Sequence, residues 1–299
     1  TPTSVADAAL LQTNRSTLVS GVTTYLSTTA PYSTVWSGLS SAQKDKCARD
    51  TGYIVDAITY DIQYGGNYQS IVAGLAYYSF GVLEIASGEK AATIAAYNRL
   101  GTLIKTYTSS TSDTLVDALI TIITGIINTG SAPSITYPSA SAESIAVQST
   151  LTALQSAKTS IESSVISFIT LTYNNLSYDT VKCARDIGYI VDALTYDLTY
   201  GCNLATQIAA RSYYSKGSFV EPSGEKKAAL ATQLRLKSII SDIAQGISIT
   251  ATSGNAGTQD TSGTAGSSTA GSFAQSRINE MYNTIKTGIN SSTIIPSTT

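Results

Sequence analysis

The chain has 299 residues and a mass of 31.2 kDa, which is enough to bury a sizeable core in one large domain or two smaller ones. Only 13% of the residues are charged, and 18 basic against 20 acidic residues leave a net charge of -2, which excludes a basic nucleic-acid binder. Histidine is absent, which removes the usual general base and the commonest metal ligand, and 42 serines and 42 threonines give a polar surface that suits an extracellular or particle-bound protein better than a cytosolic enzyme.

Apolar residues at helical spacing predict five helices in residues 1–135. The second helix is expected to begin at Ser40 or Ser41, with Gln43 as its capping-box partner, and to run to Tyr64. The other four are expected over Leu10 to Leu26, Asn67 to Tyr78, Ser87 to Ile104 and Ser112 to Ile127. Helix stops are assigned to glycines, which allow a left-handed backbone, and caps to asparagines: Gly65, Gly66, Asn67, Gly201 and Asn203.

Residues 136–299 repeat this order. Helices are expected near 143–172, 178–200, 203–215, 224–246 and 272–290. Residues 252–272 are mostly Gly, Ser, Thr and Ala, a composition typical of a flexible loop. Pro133 and Pro138 place the boundary between the units within residues 130–140. The predicted fold class is all-α, with two tandem homologous helical-bundle units of about five helices each.

An internal repeat is the strongest feature of the sequence. Residues 47–66 read CARDTGYIVDAITYDIQYGG and residues 183–202 read CARDIGYIVDALTYDLTYGC, with 15 of 20 positions identical at an offset of 136. The same offset relates the Tyr77-Tyr78 pair to Tyr213-Tyr214. Solenoid repeats have periods of only about 20 to 50 residues, so each copy is expected to be a small domain of its own.

The repeated helix carries charges that are scarce elsewhere in the chain. Its tyrosines and one of its aspartates recur at three- and four-residue spacing, which places them along one stripe. Buried carboxylates persist when they are paired, so we expect an Arg-Asp-Tyr hydrogen-bond network that fixes how the helices dock. The residues assigned to this network are Arg49, Asp50, Tyr53, Asp56, Tyr60, Asp61, Arg185, Asp186, Tyr189, Asp192, Tyr196 and Asp197.

Two other interpretations of these acids compete with the structural one. A pair of them could act in glycoside hydrolysis, where two carboxylates lie about 5 to 9.5 Å apart. A calcium loop is disfavoured, because no segment shows the alternating acids of an EF-hand. The structural interpretation is preferred, because a repeated architecture requires repeated packing whereas duplicated catalysis within one chain is unusual. No catalytic residue, cofactor or metal site is assigned.

The three cysteines are not expected to form a disulfide. Cys183 and Cys202 flank one predicted helix, and a rise of about 1.5 Å per residue separates them by roughly 28 Å, far beyond the ~7 Å limit for a bridge. Cys47 and Cys183 occupy the same place in separate copies, which suits a small buried residue.

The block CARDxGYIVDAxTYDxxYGGN, with the helix start at Ala9 to Asn14 before it and a Tyr-Tyr pair after it, resembles repeats of large virion structural proteins of marine, cyanobacteria-infecting tailed phages. The resemblance covers nearly the whole of each unit. It implies a particle component, often built of many such units in tandem and described as fibre-like or tail-associated, and it implies no catalytic residues. Cys202 and Ala210 depart from the pattern, which has glycine at both places, so we expect a looser helix turn and helix contact there.

The leading functional hypothesis is a non-enzymatic structural repeat protein of a phage particle, in a fibre or tail appendage that acts as a spacer or contacts the host surface. Its expected partners are other copies of itself, other virion proteins and a host cell-surface glycan, with no nucleic acid. The alternatives are a secreted microbial filament or adhesin subunit that self-assembles through its helical repeats, and a carbohydrate-active enzyme that uses paired aspartates.

The hydroxyl-rich composition and the resemblance lead us to expect a location in a virion or outside the cell, and the lack of targeting signals says little about it. No apolar run approaches the roughly 20 residues of a membrane span, and no signal segment opens the sequence. The chain begins at Thr1 and has its only methionine at Met281, so we expect a processed product or a part of a longer protein.

Overall fold

In a computed structural model of the chain, the residues that are described are 3–65, 68–79, 88–129, 148–172, 180–200, 204–216, 222–244 and 269–291. All regular secondary structure in these ranges is helical, which confirms the predicted all-α class. The chain divides into two compact units, unit 1 over residues 1–135 and unit 2 over residues 136–299.

Unit 1 has seven helices in its described part, so the prediction of five is wrong here. The predicted first helix is two helices, because Asn14 leaves helical geometry (φ -98°, ψ 13°) and its side-chain amide donates to the Leu10 carbonyl. A further helix of six residues is too short to show a hydrophobic period. The helices are α1 (Thr3–Thr13), α2 (Arg15–Thr28), α3 (Tyr32–Ser37), α4 (Ser41–Tyr64), α5 (Tyr68–Ser79), α6 (Glu89–Ile104) and α7 (Ser110–Thr129).

Helix α4 begins and ends where local sequence signals place its limits. The Ser40 hydroxyl accepts from the Gln43 backbone N–H at 3.3 Å, and the Gln43 side-chain carbonyl accepts from the Ser40 N–H at 2.9 Å. This capping box confirms the predicted start. After Tyr64, Gly65 adopts the left-handed region (φ 72°), which a residue with a Cβ rarely does.

Helix α4 forms the centre of unit 1. It packs against α1, α2 and α5, while α6 packs against α2 and α7, and α7 also packs against α5. Helix α7 is the one described helix that is long and apolar enough to cross a membrane by length and composition, and a core helix passes the same test. Val116, Leu119 and Ile123 of α7 are fully buried in unit 1, so this helix supplies part of the core.

Unit 2 has five helices in its described part, close to the predicted positions: α8 (Gln148–Thr172), α9 (Thr180–Tyr200), α10 (Leu204–Lys216), α11 (Pro222–Ala244) and α12 (Thr269–Ser291). Their contacts repeat those of unit 1, because α8 packs against α9 and α11, α9 against α10, and α12 against α10 and α11. The predicted loop 252–272 is wrong at its end, since α12 already begins at Thr269. Its other residues, and the predicted boundary segment 130–140, lie outside the described residues.

Candidate functional site

The aspartates assigned from the sequence lie in the interior of each unit, but the arginines do not. Asp50, Asp61, Asp186 and Asp197 are 0% exposed. Arg49 and Arg185 are exposed, so their predicted place in a buried network is wrong. Arg49 lies seven residues before Asp56 on the same helix, or about 10 Å, which is too far for an ion pair with that carboxylate.

The cation that meets Asp56 comes instead from helix α2. The Arg15 guanidinium donates from Nε to Asp56 Oδ1 at 2.8 Å and from Nη2 to Oδ2 at 3.1 Å, in a two-pronged ion pair. Gln12 of α1 donates its side-chain N–H to Asp56 Oδ1 at 3.2 Å and to the Thr59 hydroxyl at 2.9 Å. We call Gln12, Arg15, Asp56 and Thr59 junction 1. It joins α1 and α2 to α4.

The same contacts recur in unit 2. Lys158 Nζ lies 2.7 Å from Asp192 Oδ2, and Gln155 donates to Asp192 Oδ1 at 3.3 Å and to the Thr195 hydroxyl at 2.8 Å. We call Gln155, Lys158, Asp192 and Thr195 junction 2. It joins α8 to α9 with a lysine in the place of the arginine.

A glycine of the repeated block makes room for each cation. A Cβ on Gly52 would lie 2.7 Å from the Arg15 Cζ atom, and a Cβ on Gly188 would lie 3.0 Å from the Lys158 Cε atom and still closer to Glu162 Oε1. Glycine inside a helix costs about 1 kcal/mol relative to alanine. Glycine stands in the middle of α4 and α9 because the side chain of Arg15 or Lys158 lies directly against the helix backbone there.

Sequence analysis missed Gln12, Arg15, Gln155 and Lys158 because the offset between the copies changes. Asp192 follows Asp56 by 136 residues, but Gln155 follows Gln12 by 143, so the junction glutamine and the junction aspartate are seven residues closer along the chain in unit 2. At this second offset the buried positions also match. The pairs are Leu11 and Leu154, Leu18 and Ile161, Val22 and Val165, and Leu26 and Ile169.

Asp61 and Asp197 cap the helix that follows their own. Asp61 Oδ2 accepts from the Ser70 backbone N–H at 2.9 Å and from its hydroxyl at 2.6 Å, at the start of α5. Asp197 accepts from the backbone N–H groups of Ala205 at 3.3 Å and Thr206 at 2.8 Å, at the start of α10. Burial raises the pKa of Asp61 to about 7, in opposition to the hydrogen bonds from Ser70, which lower it. Gly66, Asn67, Gly201 and Asn203 lie outside the described residues.

The tyrosines of the predicted network are less uniform in burial. Tyr53 and Tyr196 are buried, whereas Tyr60 and Tyr189 are half-buried. The Tyr60 ring lies 4.4 Å from that of Tyr64, between ring centroids, and Tyr64 is exposed. This pair therefore lies towards the surface at the end of α4 rather than in a buried network.

A buried thiol lies beside two tyrosines in unit 1. Cys47 Sγ is 3.2 Å from the Tyr77 hydroxyl, and the Tyr77 and Tyr97 rings meet edge to face with centroids 5.6 Å apart. Burial, and then the neighbouring Cys47 and Asp50, raise the pKa of Tyr77 well above its usual range, so its hydroxyl stays neutral. Cys47 and Cys183 are buried and form no disulfide, which confirms the expected packing role, and Cys202 lies outside the described residues.

The repeated polar residues hold helices together within each unit. The four fully buried aspartates face no solvent, and the cavity described below is lined by none of them. Among the described residues, no group of three or more Cys, Asp or Glu side chains could hold a metal ion. The chemistry that the repeated residues support is hydrogen bonding and ion pairing between helices.

Comparison with known proteins adds no assignment. The chain matches no protein-family model, no curated protein and no solved structure. The functional interpretation therefore depends on the duplicated geometry and on the sequence resemblance.

Proposed function

We propose that the chain is a non-enzymatic structural repeat module of a phage particle, in a fibre or tail appendage that acts as a spacer or contacts the host surface. The observation that carries this proposal is that the duplicated aspartates make contacts between helices within each unit. Asp56 and Asp192, and likewise Asp61 and Asp197, make the same helix-to-helix contacts in both units. Because the duplicated residues serve contacts inside each unit, they support a protein that acts through its shape.

The surface composition supports the same role. With 13% charged residues and a net charge of -2, the chain has weak electrostatic attraction for charged matter, while its hydroxyl groups keep it hydrated. Repeated helical units extend a structure through contacts between neighbours. The resemblance of the repeated block to virion structural repeats supplies the particle context, and other copies of the chain or other virion proteins are its proposed partners.

Immunogold electron microscopy of the native source material tests this proposal. Antibodies raised against the full chain are expected to label an appendage or tail of virus particles, and prior absorption with purified chain is expected to remove the label. Label on free filaments or cell surfaces, with bare particles, would contradict the phage assignment. That result would favour the filament or adhesin subunit instead.

A further inference from the structure

Unit 2 contains a cavity of about 20 Å³ between helices α9, α10, α11 and α12. Most of its wall is apolar, with Ile190 and Met281 among the lining residues. Lys237 and Tyr282, both half-buried, lie at its more exposed side, with the ammonium nitrogen 5.0 Å from the ring centroid. Two buried polar side chains also line it, namely Gln233 and Thr206.

Unit 1 fills the corresponding place with a tyrosine. Gln233 follows Tyr97 by 136 residues, and Ala210 follows Gly74 by the same distance. The Tyr97 hydroxyl donates to the Gly74 carbonyl at 2.9 Å, and a Cβ on Gly74 would lie 3.2 Å from that hydroxyl oxygen. The same Cβ would lie 3.0 Å from Ile123 Cγ2, so Ile123 and Tyr97 together favour glycine at residue 74.

Unit 2 has exchanged both members of this pair. Gln233 is shorter than tyrosine, so it does not require glycine at residue 210. Ala210 carries a methyl group that is fully buried against Ile285 and Ile289. The two exchanges are matched, because the smaller side chain at 233 accompanies the larger one at 210. Gln233, which has less volume than tyrosine, lines the cavity.

The polar groups at this cavity lack sufficient partners within the protein. Gln233 is 3% exposed, and its side-chain Nε2 has no hydrogen-bond partner among the described residues. The Thr206 hydroxyl donates only to the Met281 sulfur, at 3.7 Å, and keeps its oxygen lone pairs as acceptors. A buried donor without a partner destabilises a fold, so this amide requires an acceptor.

We propose that unit 2 binds one buried water molecule in this cavity, which accepts a hydrogen bond from Gln233 Nε2 and donates one to Thr206 Oγ1. The cavity is large enough for one water molecule, because holding a water needs at least about 10 to 15 Å³ of space for the centre of a water-sized sphere. The water takes the place of the Tyr97 hydroxyl as the polar group at this level of the bundle.

A crystal structure of the full chain at a resolution that shows ordered water tests the proposal directly. We expect one water peak inside the cavity, within about 3.2 Å of Gln233 Nε2, and none at the matching place beside Tyr97, which serves as the internal control. Absence of the peak, or a Gln233 amide that donates to a protein group instead, overturns the proposal.

Variants at residue 233 separate a water bound by the amide from one that merely fills space. Gln233→Leu, which is similar in size, is expected to lose the water and to bind xenon in pressurised crystals, as dry apolar cavities do, whereas the unaltered chain binds none. A water that persists in Gln233→Leu overturns the assignment of Gln233 as its ligand. Should that variant fail to fold, the structure of the unaltered chain still decides.

Restoring the unit 1 pair in unit 2 gives a second, independent readout. Gln233→Tyr alone places a hydroxyl against the Ala210 methyl group, whereas Gln233→Tyr with Ala210→Gly recreates the Tyr97 and Gly74 contact. We expect the double variant to exclude the water and to have a higher Tm than the Gln233→Tyr single variant. Equal Tm values would contradict the matched exchange.

Discussion

Junctions 1 and 2 perform the same task with different cations. In junction 1 the Arg15 fork engages both oxygens of Asp56, and the two side chains are 19% and 7% exposed. In junction 2 a single Lys158 nitrogen meets one oxygen of Asp192, and the side chains are 28% and 14% exposed. The glutamine, the threonine and the glycine are unchanged. The helix contact therefore depends on a carboxylate and the space above a glycine, while the cation can vary.

Junction 2 also has a second carboxylate close by. Burial raises the pKa of Glu162, Lys158 lowers it and Asp192 raises it, so the three charges lie within reach of one another. Residue 19 at the matching place of unit 1 is a valine. Unit 1 therefore has an arginine that holds one carboxylate with two hydrogen bonds, whereas unit 2 has a lysine that pairs with one carboxylate and lies near a second.

The largest expected effect comes from removing the buried caps. Asp61→Ala leaves the first-turn N–H groups of α5 without an acceptor inside the protein, which we expect to cost about 3 kcal/mol in the free energy of unfolding. Asp197→Ala should act on α10 in the same way. Native-state hydrogen exchange, read separately in each unit, measures both. Asp45→Ala, at an exposed site on α4, is the control and should change stability by less than about 0.5 kcal/mol.

The second effect is a pH dependence of unit 1. The pKa of Asp61 is about 7 in the folded chain against an ordinary value of 3.8, so the folded state holds a proton that the unfolded state has released. The stability of unit 1 should therefore fall as the pH rises from about 4 to about 7 and should level off above that range. Asp61→Asn keeps an acceptor for Ser70 but cannot ionise. Chemical denaturation at several pH values should show a flatter profile for this variant, and an unchanged profile would contradict the assignment.

The third effect distinguishes the two junctions. Asp56→Ala leaves the partly buried Arg15 without its carboxylate, which we expect to cost about 2 kcal/mol. Asp192→Ala should cost only about 1 kcal/mol, because Lys158 is more exposed and Glu162 can pair with it. Hydrogen exchange of α4 and α9 amides gives the two values. Equal losses would break the comparison, and adding Glu162→Gln to Asp192→Ala should enlarge the smaller one.

The smallest effect concerns the glycines. Gly125 lies exposed in α7 with no neighbouring atom near its Cβ position, so Gly125→Ala should stabilise unit 1 by about 0.5 to 1 kcal/mol. Gly52→Ala gains the same helix propensity but displaces the Arg15 guanidinium, and we expect a net loss of about 1 kcal/mol. Thermal denaturation of both variants is sufficient. Stabilisation by Gly52→Ala would show that the glycine is not required by the junction.

The sequence permits prediction wherever a signal is local. The Ser40 and Gln43 capping box depends on residues three positions apart, and the repeat is recognisable because its 15 identities fall within one continuous run of 20 residues. The break at Asn14 and the short helix α3 were not predicted, because neither changes the hydrophobic period over a long enough window.

The partners of the repeated aspartates escaped for a different reason. Asp56 pairs with Arg15, which lies 41 residues earlier, and no local sequence pattern links these two residues. The nearer Arg49 looked suitable by sequence distance but is exposed. A search that allowed the offset to change would have aligned Gln12 and Arg15 with Gln155 and Lys158, because the buried leucine, isoleucine and valine positions around them coincide.

The connection between α2 and α4 has a practical consequence. It contains α3 and Trp36, yet unit 2 rebuilds its junction with seven residues fewer between the junction glutamine and the junction aspartate. The length of this connection is therefore free to change while the bundle keeps its form. A foreign peptide grafted in place of Tyr32–Ser37 would be displayed by a scaffold that does not depend on it. Related modules would then differ in the sequence and length of this connection while they keep the same helical bundle.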